Sequence, residues 1–407
     1  MLKISLPRLR RDLTALARFG SNPGGGVSRP AWSPPHEEAR AWLLARLKEA
    51  GLETSVDPAG NTFGRLGAGA PAVLTGSHID SVPEGGTLDG ALGVLAALEC
   101  LRTIRDAGPP LQRPLAVVAW SDEEGRYGSL LGSRAFTGKL DPAKIPLMRA
   151  SDGDRLVDAM ARAGFNALEA PRAAADHQDM AAYVELHIEQ GPHLEARGIP
   201  IGVVEGIVGI RRNRIVFRGE PDHAGTTPMA RRKDAFLAAA EYALKAREHV
   251  VKRGSGRSVT NFGVVEVRPG VTNIVPSRAA LLQEMRELDG KVLDRLDREC
   301  VALAKRIARR RGIRVAIERI SRNESARMAP EVQRAIEAAA AELRLQTLRM
   351  PSGAGHDAQN LATVTRAGMI FIPSKGGKSH RPDEASDWRA IERGANVLLH
   401  TLLKLAG

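Results

Sequence analysis

The stretch from residue 76 to 93 reads GSHIDSVPEGGTLDGALG and contains His78, Asp80, Asp89 and five glycines. Glycine loses more backbone entropy on folding than other residues, and a carboxylate is costly to bury without a partner. The stretch follows an apolar run at residues 72–74. This composition predicts a bound ligand, and imidazole and carboxylate groups are ligands of divalent metal ions such as Zn²⁺.

Further imidazole and carboxylate groups recur along the chain. Glu123 and Glu124 follow the apolar segment LAVVAW, His187 is the one imidazole of YVELHIE, and His380 stands in GGKSHRPDE. Each of them taken singly fits a solvated loop, an acidic surface pair or a structural histidine. Their number favours a pair of metal ions, because imidazoles and carboxylates can hold two ions with positions left open for water.

The neighbouring Glu123 and Glu124 indicate a division of labour. Adjacent side chains on an extended or bending segment point in different directions. One glutamate can therefore bind a metal ion while the other accepts a proton from the attacking water. Asp80, two residues after His78, can hold the second nitrogen of that imidazole.

The elements that must position these residues alternate between strand and helix. Apolar runs at 72–75 and 115–120 predict buried strands, and leucines at every third position from 92 to 101 predict a helix between them. This order predicts an α/β fold with a mostly parallel sheet flanked by helices. Functional groups collect at the carboxyl ends of such strands, where His78 and Glu123 stand.

The sequence pattern changes after residue 209. Predicted strands at 214–218, 258–267, 278–286 and 314–318, with helices at 234–252 and 292–311, form a compact α+β unit. The α/β pattern returns near residue 330 and ends in a helix that reaches residue 405. We therefore predict a discontinuous catalytic domain, 1–209 and 325–407, with an inserted domain at 210–324.

Composition excludes several classes of protein. The chain has 407 residues, 43% hydrophobic and 26% charged, which suits two globular domains. The net charge is +12, but aromatic residues are only 4% and the basic residues are spread, which argues against nucleic-acid binding and leaves attraction of an anionic substrate. Two cysteines, no signal-peptide pattern and no long apolar run predict a cytoplasmic protein without membrane contact.

Seven collinear motifs carry a family resemblance: GSHIDSV, GGTLDGALG, DEEG, ELHIEQGP, HAGTTPM, SGAGHDA and GGKSHRPDE. They resemble the dinuclear zinc amidohydrolases that cleave ureido groups, namely N-carbamoyl-L-amino acid amidohydrolase, β-ureidopropionase and allantoate amidohydrolase of the aminoacylase/carboxypeptidase-like superfamily. The resemblance covers nearly the whole chain. It implies a zinc-peptidase-like fold, two divalent ions (Zn²⁺ foremost, with Mn²⁺ or Co²⁺ as alternatives), and an inserted domain that acts as a lid and forms a homodimer.

The resemblance also implies a role for each motif. Asp89 bridges the two ions, Glu123 is the general base and Asp80 supports His78. The implied metal ligands are His78, Asp89, Glu124, His187 and His380. The implied substrate contacts are Gln190, His223, Asn273, Arg286 and Gly355.

The chemistry of the implied contacts fits a small ureido acid. The guanidinium of Arg286 matches a carboxylate with two parallel hydrogen bonds. The amides of Asn273 and Gln190 donate and accept, as a ureido group requires, and His223 can donate to an oxyanion. One departure concerns Arg126 and Tyr127, which follow DEEG directly where the family usually has one more residue, so the resemblance assigns them no role.

The sequence thus predicts a metal-dependent amidohydrolase that cleaves the linear C–N bond of an N-carbamoyl carboxylic acid, releasing amino acid, carbon dioxide and ammonia from an N-carbamoyl-L-amino acid. Allantoate amidohydrolase and β-ureidopropionase are the nearest alternatives. An aminoacylase or dipeptidase of the same fold would attack a peptide-type amide instead. A catalytically silent binding protein is the alternative outside enzymes.

Overall fold

The chain forms two compact units in the computed structural model, which describes residues 1–174 and 180–407. Unit 1 contains Met1–Gly206 and Arg327–Gly407, and unit 2 contains Ile207–Ala326. The sequence places these boundaries after residues 209 and 324. Within the described residues, no helix has both the length and the apolar character needed to cross a membrane.

Unit 1 is built on a nine-stranded sheet. Its strands are β1 (Glu53–Val56), β2 (Thr62–Leu66), β3 (Ala72–His78), β4 (Leu115–Trp120), β5 (Met180–Ile188), β6 (Ile201–Ile207), β11 (Ala326–Arg327), β12 (Thr347–Ser352) and β13 (Ala367–Ile372). The order is β1-β2-β4-β3-β5-β13-β6-β11, with β12 beside β6. The four central strands β4, β3, β5 and β13 are parallel neighbours, whereas β1, β2 and β6 pair antiparallel.

Helices cover this sheet. They are α1 (Leu6–Leu16), α2 (Pro34–Glu49), α3 (Ala91–Ala107), α4 (Leu131–Phe136), α5 (Leu156–Arg162), α6 (His193–Arg197), α9 (Pro330–Glu342), α10 (Ala358–Leu361) and α11 (Trp388–Ala406). Every residue of β3, β4 and β13 is buried, and α3 is buried from residue 91 to 104. The apolar runs of the sequence are thus the centre of a sheet covered on both faces, as an α/β fold requires.

Unit 2 is an α+β unit. Strands β7 (Gly209–Arg218), β8 (Val259–Arg268), β9 (Arg278–Glu287) and β10 (Arg314–Asn323) form an antiparallel sheet in the order β10-β7-β9-β8. Helices α7 (Ala235–Arg253) and α8 (Gly290–Arg310) pack against it. Their shared core includes Phe217, Tyr242 and Leu296.

Candidate metal centre

The five predicted metal ligands lie together at the carboxyl ends of the central strands of unit 1. His78 ends β3, His187 stands near the end of β5, and Glu124 follows β4. Asp89 lies in the loop before α3, and His380 lies in the loop between β13 and α11. All are buried or nearly so except His380, whose side chain is half exposed. Parallel strands with one common end therefore gather side chains from five separate segments.

Two groups of three side chains meet at Asp89. The first group is His78, Asp89 and His187, and the second group is Asp89, Glu124 and His380. Asp89 Oδ1 lies 3.1 Å from His187 Nε2 and 3.6 Å from His78 Nε2. Asp89 Oδ2 lies 3.2 Å from His380 Nε2, which lies 3.4 Å from Glu124 Oε2. The two oxygens of Asp89 thus face different groups, which is the arrangement of a carboxylate shared by two ions.

The backbone beside Asp89 is shaped by a glycine. Gly90 has a φ of 65°, and a Cβ at this position would lie 2.4 Å from ring atoms of His78. A residue with a side chain would be strained here and would displace that imidazole. The Asp-Gly pair of GGTLDGALG therefore lets the ligand loop approach the end of β3.

The glutamate pair is held by two buried aspartates. Asp80 accepts hydrogen bonds from the backbone N–H groups of Glu123 (3.4 Å) and Glu124 (3.1 Å). Asp80 also contacts the ring of His78. His78 Nδ1 lies 3.1 Å from the backbone oxygen of Asp80 and 3.5 Å from Asp80 Oδ1, so the backbone oxygen is the nearer partner. Asp122, with a φ of 51°, accepts three backbone N–H groups at 2.7–3.2 Å from the turn that follows. The turn is thus fixed on both sides of the two glutamates.

Burial raises the pKa of two carboxyl groups in this cluster. For Glu124, burial and then the charge of Asp89 raise the pKa to about 7. Burial also raises the pKa of Glu123 well above its ordinary value, although the nearby His78 opposes this. For Asp89, burial acts in the same direction, but hydrogen bonds with three imidazoles outweigh it and hold the pKa well below the ordinary value.

Burial lowers the pKa of an imidazole, but the carboxylates around His380 and His78 raise it more. The hydrogen bond to Asp89 is the first cause that raises the pKa of His380 to about 9. Burial lowers the pKa of His78, but the nearby carboxylates outweigh it, so that its pKa lies well above the ordinary value. Both shifts share one cause, namely several carboxylates close to the imidazole rings in a small volume. They are the shifts expected of a cluster in which protons compete with cations.

The donor set fits divalent cations. Three imidazoles with carboxylate oxygens suit Zn²⁺ and similar ions. Glu124 Oε1 is buried and has no hydrogen-bond partner among the described residues, and such an orphaned oxygen is costly unless something binds it. His78 and His187 each have Nδ1 close to a backbone carbonyl, Asp80 O at 3.1 Å and Ile188 O at 2.8 Å, which orients Nε2 toward Asp89.

Two predicted substrate contacts also lie in unit 1. Gln190 has a φ of 57°, and its Nε2 donates to Asp89 Oδ2 at 2.8 Å. Gly355 follows β12 and precedes His356, whose ring centroid lies 4.5 Å from that of His187. The structure therefore brings both residues to the metal-ligand cluster.

The other three predicted substrate contacts lie in unit 2. The backbone N–H of Ala224 donates to Asn273 O at 2.9 Å, so the loops of His223 and Asn273 are neighbours. His223 Nδ1 accepts the N–H groups of Gly225 and Thr226 at 3.0 and 3.1 Å. In a neutral ring the proton then sits on Nε2, which becomes a donor.

Arg286 stands near the end of β9. Its side chain is 32% exposed, and its Nε donates to Glu284 Oε1 at 2.7 Å. Residues 259 and 210 of the neighbouring strands are its register partners. The role of Arg286 toward a substrate stays a prediction.

Glu185 and the turn residues Arg126 and Tyr127 carry no role in the sequence prediction. Glu185 and His356 form a further buried group with His187, but Glu185 sits inside an apolar strand pattern that gives no signal of this. Arg126 donates to Ala31 O at 3.0 Å and, with Tyr127, contacts Asp154. These contacts tie the short turn after DEEG to its surroundings.

Comparison with known proteins identifies a family and several relatives of this chain. Residues 74–404 match Peptidase family M20/M25/M40. The N-carbamoyl-L-amino acid amidohydrolase of Geobacillus stearothermophilus is 38% identical over 405 residues, with 98% of each chain covered. The allantoate amidohydrolase of Escherichia coli (strain K12) is 37% identical over 98% of this chain and 97% of its own. The crystal structure of an amidase of the hydantoinase/carbamoylase family from Burkholderia multivorans has a TM-score of 0.91 at 35% identity, and covers 100% of this chain and 98% of its own.

The chain belongs to Peptidase family M20/M25/M40. This membership confirms the resemblance drawn from the seven motifs and the predicted α/β fold class. The second, antiparallel sheet is consistent with the predicted inserted α+β unit. The prediction of a hydrolase that acts on linear amide bonds is confirmed at the level of the family and its named relatives.

Proposed function

We propose that this chain hydrolyses the linear C–N bond of a ureido group in a small N-carbamoyl carboxylic acid. An N-carbamoyl-L-amino acid is the first candidate, with amino acid, carbon dioxide and ammonia as products. The observation that carries the proposal is the position of Asp89, whose two oxygens face two separate groups of ligands. The full-length similarity to amidohydrolases named for ureido substrates supports it.

The first group would hold one divalent ion and the second group the other, with Asp89 common to both. Zn²⁺ is the first choice for these imidazole and carboxylate donors, and Mn²⁺ or Co²⁺ can bind the same set. When bound, such ions polarise a carbonyl group and lower the pKa of coordinated water.

Glu123 is the proposed general base. Its Oε2 lies 3.6 Å from His78 Nε2, so the carboxylate is directed toward the ligand cluster while its neighbour Glu124 faces His380. Burial raises its pKa above that of an ordinary glutamate, which is the direction that makes a carboxylate a stronger base. Glu123 takes a proton from the attacking water and then delivers it to the leaving nitrogen.

The proposed substrate contacts divide by chemistry. Arg286 offers N–H groups to the substrate carboxylate, and Asn273 and Gln190 bind the ureido group. His223 donates from Nε2 to the oxyanion, and the backbone at Gly355 lies beside the reacting group. Gln190 Oε1 is buried and accepts no hydrogen bond from the part of the chain that the structure describes. A ureido N–H would satisfy this oxygen, which supports the assignment of Gln190.

A panel of substrates tests the proposal. N-carbamoyl-L-amino acids, allantoate and β-ureidopropionate are offered to protein loaded with Zn²⁺, Mn²⁺ or Co²⁺, and ammonia release is measured. We expect turnover of at least one ureido acid and much slower hydrolysis of N-acetyl-amino acids and dipeptides. The amide derivative of the best substrate, which lacks the carboxylate, is the matched control and should show a raised KM.

Preference for N-acetyl-amino acids or dipeptides would assign the chain to aminoacylases or dipeptidases. A protein that binds metal but hydrolyses none of these compounds would match the silent binding protein.

We also propose that unit 2 forms a homodimer with a second copy of itself. Strand β8 lies at an edge of its sheet, and a two-fold related copy of the same strand could satisfy its outward N–H and C=O groups. Exposed apolar side chains accompany this edge on β8 and on one stripe of α7: Leu237, Leu244, Val251, Val259, Val264 and Val265.

Lysine substitutions test the dimer. Val265→Lys and Leu244→Lys place a charge in the proposed interface, at side chains that are 53% and 66% exposed. We expect the wild-type protein to sediment with the mass of two chains and both variants with the mass of one. Ile320→Lys on β10, the opposite edge strand, is the matched control and should remain dimeric. A wild-type mass of one chain would contradict the proposal.

A further inference from the structure

A buried carboxylate joins the two loops that carry Asp89 and His380. Glu384 lies four residues after His380 and is 7% exposed. Its Oε1 accepts the backbone N–H groups of Leu88 and Asp89, at 3.1 and 3.0 Å. One carboxylate oxygen therefore holds the backbone on which Asp89 stands.

The second oxygen of Glu384 reaches the His380 loop through Ser379. Ser379 Oγ lies 2.9 Å from Glu384 Oε2 and 2.9 Å from Asp89 Oδ2. Gln190 Nε2 donates to the same Ser379 Oγ at 3.1 Å. The serine next to His380 is thus tied both to Glu384 and to the shared carboxylate of the cluster.

The chain leaves space for this contact at Gly86. A Cβ at residue 86 would lie 2.0 Å from Glu384 Oε1 and 2.5 Å from Glu384 Cβ. Because no side chain fits between the two segments, the second glycine of GGTLD allows Glu384 to reach the backbone of Leu88 and Asp89. The close approach at Gly86, the hydrogen bonds and the burial therefore all involve the same carboxylate, that of Glu384.

We propose that Glu384 and Ser379 form a clamp that holds the Asp89 loop against the His380 loop and so assembles the second group. Glu384 is a positioning residue, because it contacts backbone and hydroxyl groups of the ligand loops. The inference rests on the proposed dinuclear function, since it assigns the clamp to one of two ions. His78 and His187 have other supports, at Asp80 O and Ile188 O, so the first group depends less on the clamp.

Metal binding measures the clamp directly. Metal-free protein is titrated with Co²⁺ alone in competition with a chelator, and the two dissociation constants are compared between variants. We expect Glu384→Ala to weaken the second site by about 10- to 100-fold, the usual effect of losing a partner behind a ligand, with a smaller change at the first site. Glu384→Gln should restore binding, because its amide oxygen accepts both N–H groups and its NH₂ donates to Ser379.

Two further variants separate the clamp from general effects on the loop. Asp383→Ala removes an exposed carboxylate from the same loop, which pairs with Lys378 and Arg381, and should leave both constants unchanged. Ser379→Ala keeps the bonds of Glu384 to Leu88 and Asp89 and should show a smaller loss at the second site. It serves as the test if Glu384→Ala does not fold.

The outcomes distinguish the clamp from the proposed function. Wild-type affinity for both ions in folded Glu384→Ala, or in Ser379→Ala if the former does not fold, would overturn the clamp. A wild-type protein that binds two Co²⁺ ions but hydrolyses no ureido acid would overturn the proposed function, while the clamp is still judged by the affinities. A single bound ion in the wild type would overturn both.

Discussion

Replacing Glu123 by glutamine should lower kcat by about 10²- to 10⁴-fold, the usual contribution of a positioned proton acceptor. Glutamine preserves the shape and the backbone contacts that hold this residue to Asp80, but its amide does not accept a proton from water near neutral pH. Metal content should remain that of the wild type, because Glu123 belongs to neither of the two groups that meet at Asp89.

The adjacent residue supplies the matched control. Glu124→Gln makes the same chemical change one position along the chain, but Glu124 Oε2 faces His380 at 3.4 Å in the second group. We therefore expect Glu124→Gln to lose affinity for one ion, whereas Glu123→Gln keeps both and loses only turnover. Measuring metal content and kcat on the same samples separates the two effects. A Glu123→Gln enzyme with wild-type kcat would refute the assignment of Glu123 as the general base.

The pH profile gives a second readout for Glu123. A general base acts in its ionised form, so kcat/KM should fall as the pH drops through the pKa of this carboxyl group. Burial raises that pKa, so the acidic limb should lie above the range of an ordinary glutamate. Glu123→Gln should lose this limb, and an unchanged limb would assign it to another group.

Local sequence pattern was sufficient for the centre of the sheet and for the residues at its ends. The apolar runs at β3 and β4 predict the strands, and the strand ends predict where His78 and Glu123 stand. The parallel centre follows from the strand–helix–strand order, but the antiparallel pairing of β2 and β6 does not. Pairing direction at the flanks depends on tertiary packing, which alternation along one strand does not encode.

Buried polar residues explain why the predicted start of strand β7 in unit 2 is wrong. The sequence predicts a strand from 214, whereas β7 begins at Gly209. Arg211 and Asn213 point into the unit, where Arg211 Nη2 lies 2.7 Å from Asp294 Oδ1 and Asn213 Nδ2 donates to Asp297 Oδ1 at 2.6 Å. Charged and amide side chains at inward positions hide the alternation of a strand until their partners on α8 are known.

In the site, too, local motifs predict the ligands, whereas contacts between segments far apart in the sequence are not predicted. The motifs name His78, Asp89 and His380 but not the residues that hold their loops. Glu384 bonds to backbone nearly three hundred positions away along the chain, and in GGKSHRPDE it is one of two adjacent carboxylates, with nothing to show which is buried. The roles of the substrate contacts came from the resemblance, since spacing alone does not join residues of separate segments.

Replacing Asp89 by asparagine should lower kcat at least as much as Glu123→Gln does. Asp89 Oδ1 faces His78 and His187, and Asp89 Oδ2 faces His380. Asparagine keeps one oxygen but presents an NH₂ group to the other side, and an NH₂ group is not a ligand of a divalent ion. Metal content should fall to about one ion per chain or less, because four-coordinate sites depend on each protein ligand.

Asp80→Asn is the matched control for this variant. It also exchanges a buried carboxylate for an amide, but the Asp80 carboxylate lies 3.5 Å from His78 Nδ1 and accepts backbone N–H groups of the glutamate pair. Loss of such a partner usually costs about 10- to 100-fold in affinity or activity, so Asp80→Asn should retain measurable turnover and bind both ions at raised metal concentration. Because the two variants change the local charge equally, a larger loss in Asp89→Asn at saturating metal would identify the shared ligand itself. Equal behaviour of the two would mean that negative charge near the imidazoles is sufficient and that Asp89 does not bridge.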